Sequence, residues 1–237
     1  MLTSLDEYLK PNPFLRPPRP TPELWTPPES SRGLRAVPMR SRGSSHGHIV
    51  LVECLLDFES RLERNVALAV LARPDTDWVV EQSPRVEWVD DDGEVHEHTF
   101  DLHVMRTDGT RSAVFVKPSE LFKPSMRRML KLIATQMSPS VAQQVVPITE
   151  KNLTRADLHN AELIQEVRRE PYLEDDAVIA DLVADLNGPV RIAELVENSG
   201  LNGFGFRAVV RAIADGKLRL MKRGMIAHSV LVERRQG

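Results

Sequence analysis

Glu63, Asp101 and Lys117 are the residues of this chain whose types and surroundings could do chemistry. Side chains in a strand alternate between faces. A strand over about 95–106 puts Phe100, Leu102 and Val104 on one face and Asp101, His103 and Met105 on the other. A strand over Ala113–Lys117 puts Val114 and Val116 on one face, with Phe115 and Lys117 opposite. If the two apolar faces pack together, Asp101 and Lys117 emerge side by side. Glu63 follows Leu62 at the rim of a helical stripe (Phe58, Leu62, Val66, Ala69, Val70) that can reach the same edge. Two carboxylates and an ammonium suit phosphodiester hydrolysis, where carboxylates hold a divalent cation that activates water and a lysine steadies developing charge. Alternation alone equally describes a surface carboxylate and a lysine on a half-exposed sheet face.

The elements that must position these groups follow from the hydrophobic pattern. After the first helix, closed by Pro74, two strands are expected over about 78–89 and 95–106, joined by Asp90-Asp-Asp-Gly93. Asp108-Gly109 turns the chain into the short third strand, which Pro118 stops. A helix over Ser125–Gln136 shows Met126, Met129, Leu130 and Ile133 on one face, and Gln144–Thr149 reads as one more strand. Helix, antiparallel strands, helix, strand is an α+β arrangement on one mixed β-sheet flanked by helices. A charged helix over about 154–170 leads to helices at Asp175–Leu186, Ile192–Ser199 and Phe206–Ala214. Two short strands follow around Leu218 and Val230. Three helices followed by a hairpin is the layout of a winged helix. The chain therefore divides into a proline-rich basic arm (1–46), an α+β unit (47–153), and a linker helix with a winged-helix unit (154–237).

Composition narrows the classes further. A net charge of −3 over 237 residues gives no global pull toward nucleic acid, so a polyanion site must be a local patch. The single cysteine, Cys54, lies in the apolar run Ile49–Leu56; it excludes an intramolecular disulfide and any multi-cysteine zinc site. No stretch approaches the ~20 apolar residues of a membrane span, and the charged N-terminus lacks an export signal, so the cytoplasm is expected. Nine of the 17 prolines fall within residues 1–46, together with Lys10, Arg16, Arg19, Arg32, Arg35, Arg40 and Arg42. That segment reads as extended chain, either a solvated tail or an arm along a DNA backbone or a partner.

Four passages in order resemble the TnsA-type transposon endonucleases, which carry a restriction-endonuclease-like fold. They are Phe58-Glu-Ser-Arg-Leu-Glu63, Val80-Glu-Gln-Ser-Pro84, Thr99-Phe-Asp-Leu-His-Val104 and Val114-Phe-Val-Lys-Pro118. Val37–Gly43 is similar to that family's lead-in and Val146-Pro-Ile-Thr149 to its last core strand. The resemblance implies a magnesium- or manganese-dependent endonuclease that cuts the 5′ ends of an element in double-stranded DNA. It would work with a separate transposase and an ATP-dependent regulator, the latter met by the C-terminal domain. Glu63, Asp101 and Lys117 match its helix glutamate, metal-binding aspartate and catalytic lysine. At Phe115 the family carries glutamate or glutamine as a metal ligand, and a phenyl ring offers no lone pair. Glu59 and His103 are candidates for a displaced ligand. The alternative implied by Phe115 is a catalytically degenerate subunit that binds DNA or assembles partners.

Two basic groups are candidate DNA contacts. Lys123, Arg127, Arg128 and Lys131 sit around the helix after Lys117, mostly opposite its apolar stripe. Arg207 and Arg211 lie on the third C-terminal helix, with Lys217, Arg219, Lys222 and Arg223 on the hairpin. A winged helix commonly presents that helix to a major groove, though such units dock on proteins as well.

Overall fold

The structure, a computed structural model, describes residues 27–34, 45–51 and 54–235. Most of the proline-rich arm and the Val37–Gly43 passage lie outside the described residues. Arg32, which lies within them, pairs with Glu29 at 2.8 Å. The architecture is α+β.

A short hairpin of β1 (Gly47–Val50) and β2 (Leu55–Phe58) opens the described core, so Phe58 belongs to a strand and not to the first helix. Helix α1 (Arg61–Leu71) begins where the Ser60 hydroxyl accepts from the Glu63 N–H at 3.1 Å, which satisfies one orphan donor of the first turn. The two long strands expected next are each broken in two. They become β3 (Thr76–Glu81) and β4 (Arg85–Val89), then β5 (Val95–Thr99) and β6 (Leu102–Arg106). Gln82 takes a φ of 47° and Pro84 has no N–H for a ladder. At the same level Gln82 N–H donates to the Asp101 carbonyl (2.8 Å) and Phe100 N–H to the Pro84 carbonyl (3.0 Å), so both strands bend together.

The halves beyond the bend have separate roles. Strands β3 and β6, with β7 (Arg111–Val116) and β8 (Gln144–Ile148), form a sheet in the order β3-β6-β7-β8. Its first two pairings are antiparallel, and the last is parallel. Helix α2 (Pro124–Gln136) makes the crossover that a parallel pair requires. Strands β4 and β5 form a ribbon of their own. The Gln136 amide ties that ribbon to α2 by bonding both the N–H and the C=O of Val89, each at 2.8 Å.

The bend also overturns one assumption about faces. Leu102, Val104, Val114 and Val116 do pack together, against Val66, Ala67 and Leu68 of α1. Phe100 does not join them. It sits in the core on the other side of the sheet with Ala113, Phe115, Phe122, Leu130 and Ile133. Strict alternation fails there because Phe100 and Asp101 fall between strands.

Helix α3 (Arg155–Arg169) starts with a capping box between Thr154 and Asp157 and belongs to two cores. Ala161 packs in the α1 core, while Ile164 and Val167 pack in the C-terminal one. The C-terminal unit contains α4 (Leu173–Ala184), β9 (Val190–Arg191), α5 (Ile192–Ser199), α6 (Gly203–Ala214), β10 (Leu218–Leu220) and β11 (Leu231–Arg234). Its strands form an antiparallel sheet in the order β10-β11-β9. Helix α6 starts earlier than expected, within the glycine-rich stretch. At Gly205 an added Cβ would stand 2.6 Å from the Ser199 hydroxyl, so only glycine permits this approach of α6 to α5. Residues 208–214 of α6 are all buried, which makes it the centre of the unit. No helix among the described residues is long and apolar enough to cross a membrane.

Candidate functional site

The bend between β5 and β6 puts Asp101 where three strands meet. Its N–H donates to the Val114 carbonyl (3.1 Å) and its carbonyl accepts from Gln82. Its carboxylate Oδ2 accepts from the Val116 N–H at 2.6 Å. The acid is thus fastened to β7 immediately before Lys117, whose own N–H donates to Ile148 of β8 (3.0 Å). Asp101 thus lies beside the end of β7 that leads to Lys117, by way of a kinked strand and not by simple alternation.

The electrostatics identify the remaining neighbours. Burial pushes the Asp101 pKa up to about 7, against the Val116 hydrogen bond, which favours the charged form. The negative charges of Glu63 and Glu59 raise it further, and the Lys117 ammonium lowers it. Glu63, Lys117 and Glu59 are therefore the charges that Asp101 feels. His103, the other candidate for a displaced ligand, is not one of them. Its Nε2 lies 3.0 Å from the Val141 carbonyl and its ring meets Trp78 edge-on at 5.0 Å.

Glu63 has a structural occupation as well. Its Oε1 accepts from the Ser60 hydroxyl (2.9 Å) and its Oε2 from the Glu59 N–H (2.8 Å), which closes the first turn of α1. Each oxygen still has a lone-pair direction to spare. Phe115 is 8% exposed and packs with Phe122 and His98 at ring-centroid distances of 5.9 and 5.7 Å. It is a core residue of the α2 side and contributes no donor. Among the described residues no three His, Cys, Asp or Glu side chains form a metal-holding group. The oxygen donors that fit a hard cation are Asp101 and Glu63. Magnesium is commonly held by one or two carboxylates, with water and substrate phosphate completing its shell. At that level the residues present fit it.

The cations expected to hold DNA divide into two groups. Lys123, Arg127, Arg128 and Lys131 are all exposed on or beside α2. Arg127 lies over the Phe122 ring at 4.5 Å, and Arg128 pairs with Asp91 of the ribbon turn at 2.6 Å. Lys123, Arg127 and Lys131 meet no carboxylate among the described residues, and Phe122 connects them to the Phe115 side of the site. Arg207 and Arg211 are placed differently. Arg211 is 6% exposed, donates to Asp176 at 2.7 Å, and reaches the Val167 and Glu170 carbonyls that end α3. Arg207 is held between Glu166 (2.9 Å) and Glu170 (3.3 Å). Arg211 is buried with its charge matched inside the C-terminal unit, whereas Arg207 is half-buried and its two carboxylate partners are open to solvent.

The hairpin expected as a wing is also tied down. Asn160 of α3 donates to the Gly224 carbonyl and accepts from the Ile226 N–H, both at 2.8 Å. Arg223 pairs with Asp157 at 2.6 Å. Sequence reasoning missed this clamp and the shared role of α3. The one available signal was a helix with polar residues where a solvated linker would do. Neither a protein-family model nor a curated protein matches the chain.

Proposed function

We propose that this chain is a DNA-processing protein of the TnsA type, with end-cutting chemistry centred on Asp101, Glu63 and Lys117. On this reading the sheet with α1 and α2 is a restriction-endonuclease-like core, and the C-terminal unit is a winged helix used for docking. The observation that carries it is the placement of the Asp101 carboxyl. It is buried at a strand break, bonded to the residue before Lys117, and within electrostatic reach of Glu63. Groups far apart in sequence converge there, as an active site requires.

Asp101 and Glu63 would hold a magnesium or manganese ion, which supplies charge neutralisation at the phosphate and a more acidic attacking water. Lys117 adds a positive charge beside the scissile phosphate. Lys123, Arg127 and Lys131 follow the backbone of double-stranded DNA on the α2 side, while Arg128 shares its charge with Asp91. A transposase and an ATP-dependent regulator are the partners the resemblance implies.

The test combines two measurements. Calorimetry with manganese should show a site in the wild type that is lost in Asp101→Ala. DNA carrying the element's ends, with partner proteins, should be nicked on its 5′ sides only by the wild type. Equal behaviour of the two proteins in both measurements sinks the enzymatic reading.

A second reading is a degenerate assembly subunit, and the burial of Phe115 in the α2-side core favours it. It predicts that DNA or partner binding persists unchanged in Asp101→Ala and that calorimetry detects no manganese site.

A further inference from the structure

Helix α4 is apolar on more than its inner side. Ile179 and Val183 face the core, yet Leu173 is 82% exposed, Val178 is 37% exposed, and Ala177 is exposed beside them. Exposed apolar side chains rimmed by polar ones are where a partner can seat. The same outward stripe carries Glu174, Asp181 and Asp185, and none of these meets a cation among the described residues. The face is therefore apolar and acidic.

A second uncovered apolar spot lies on the small sheet. Leu218 and Val232 point into the core around α6, so the pleat turns Arg219, Met221 and Leu231 outward. The Met221 N–H donates to the Leu231 carbonyl at 3.0 Å, which makes these two side chains cross-strand neighbours. They are 43% and 42% exposed. Arg191 is the register partner of Leu231 on β9, Arg219 shares the outward face, and exposed Lys222 follows Met221 in the chain. Arg219 is engaged by Glu233, but its guanidinium is the more exposed partner. Arg191 stands 3.9 Å from Glu194, and Lys222 meets no carboxylate among the described residues. This face is apolar and basic.

We propose that the two faces recognise each other between copies of this chain, the α4 stripe of one molecule seating on the outer sheet face of the next. Each supplies what the other lacks: an apolar centre of two or three side chains and a rim of opposite charge. The two faces lie on different elements. A direct tie between those elements, Arg234 donating to the Ala184 carbonyl at 2.7 Å, sits at the C-terminal end of α4, away from Leu173 and Ala177. A contact between unlike faces does not saturate at two molecules, so association is head to tail and continues into rings or open chains. It is independent of any chemistry at Asp101.

The experiment is analytical ultracentrifugation of the full chain from about 1 to about 500 μM at low and high salt. The wild type should rise in weight-average mass beyond two chains as concentration increases, and fall back with salt. Glu174→Lys with Asp181→Lys removes the acidic face, and Arg219→Glu with Lys222→Glu removes the basic one. Each double variant alone should stay monomeric, with circular dichroism like the wild type. Mixed in equal amounts, they should associate and grow again, because the two intact faces pair and the two reversed faces pair as well. Combining all four substitutions in one chain should restore growth. A wild type that remains monomeric throughout, or double variants that associate as well as the wild type does, overturns the proposal.

Discussion

Half-buried Asp101 and buried Arg211 are both ionisable groups withdrawn from solvent, and the molecule treats them in opposite ways. Arg211 has a carboxylate at 2.7 Å and two helix-end carbonyls around its guanidinium. Its charge is matched locally, and the group holds α3, α4 and α6 together. Asp101 has a single backbone N–H on its carboxylate, two further carboxylates acting on it, and one ammonium in opposition. Its charge is left unmatched enough that burial carries its pKa to about 7. A chain that can satisfy one buried charge so fully has no structural reason to leave the other short. On the function proposed above, a cation or a substrate group would contribute there what the fold does not.

The largest effect should come from breaking the matched side. Arg211→Ala leaves Asp176 and the end of α3 without their partner, and should cost about 3–5 kcal/mol in urea unfolding. The unmatched side should respond with the other sign. The folded-state pKa of Asp101 lies above the ordinary 3.8, so between that value and about 7 the folded chain keeps a proton the unfolded chain has released. Stability then falls as pH rises through that window. In chelator, Asp101→Asn should therefore stabilise the protein by up to about 4 kcal/mol at pH 8, with the gain gone below the ordinary carboxylate range. Unfolding curves across pH that show the two proteins parallel would remove the contrast. Ser60→Ala loses the hydroxyl that caps α1 and holds Glu63, and should cost about 1 kcal/mol in thermal unfolding. It should also weaken manganese binding in calorimetry if Glu63 is a ligand. Arg128→Ala breaks an ion pair that is open to solvent, and its melting curve should be indistinguishable from that of the wild type.

The part of this arrangement legible in the sequence was what period and punctuation encode. The stripe of α1, the apolar face of α2, the order of the strands and the three C-terminal helices follow from apolar spacing and from prolines and glycines. The pairing of Asp101 with the β7 end was legible too, but for an incomplete reason. Alternation was applied straight through Phe100, whereas the structure kinks there and sends that ring to the other core. The proline at 84 and the glutamine before it lie opposite the break, yet only the pairing of both strands shows that the bend is shared. Arg207 and Arg211 read as one basic helix face because the carboxylates that meet them are not visible in the local sequence. Their partners, Asp176, Glu166 and Glu170, come from other helices. Tertiary charge matching of that kind has no local signature.

Arg168 gives the fold a further property. From α3 it donates to the Leu71 carbonyl (2.6 Å) at the end of α1 and to the Ala214 carbonyl (3.0 Å) at the end of α6. Helix α1 is a rod of about 16 Å at 1.5 Å per residue, and Glu63 rides on its far tip. One guanidinium thus ties the end of the helix that carries Glu63 to the end of the helix at the centre of the C-terminal unit.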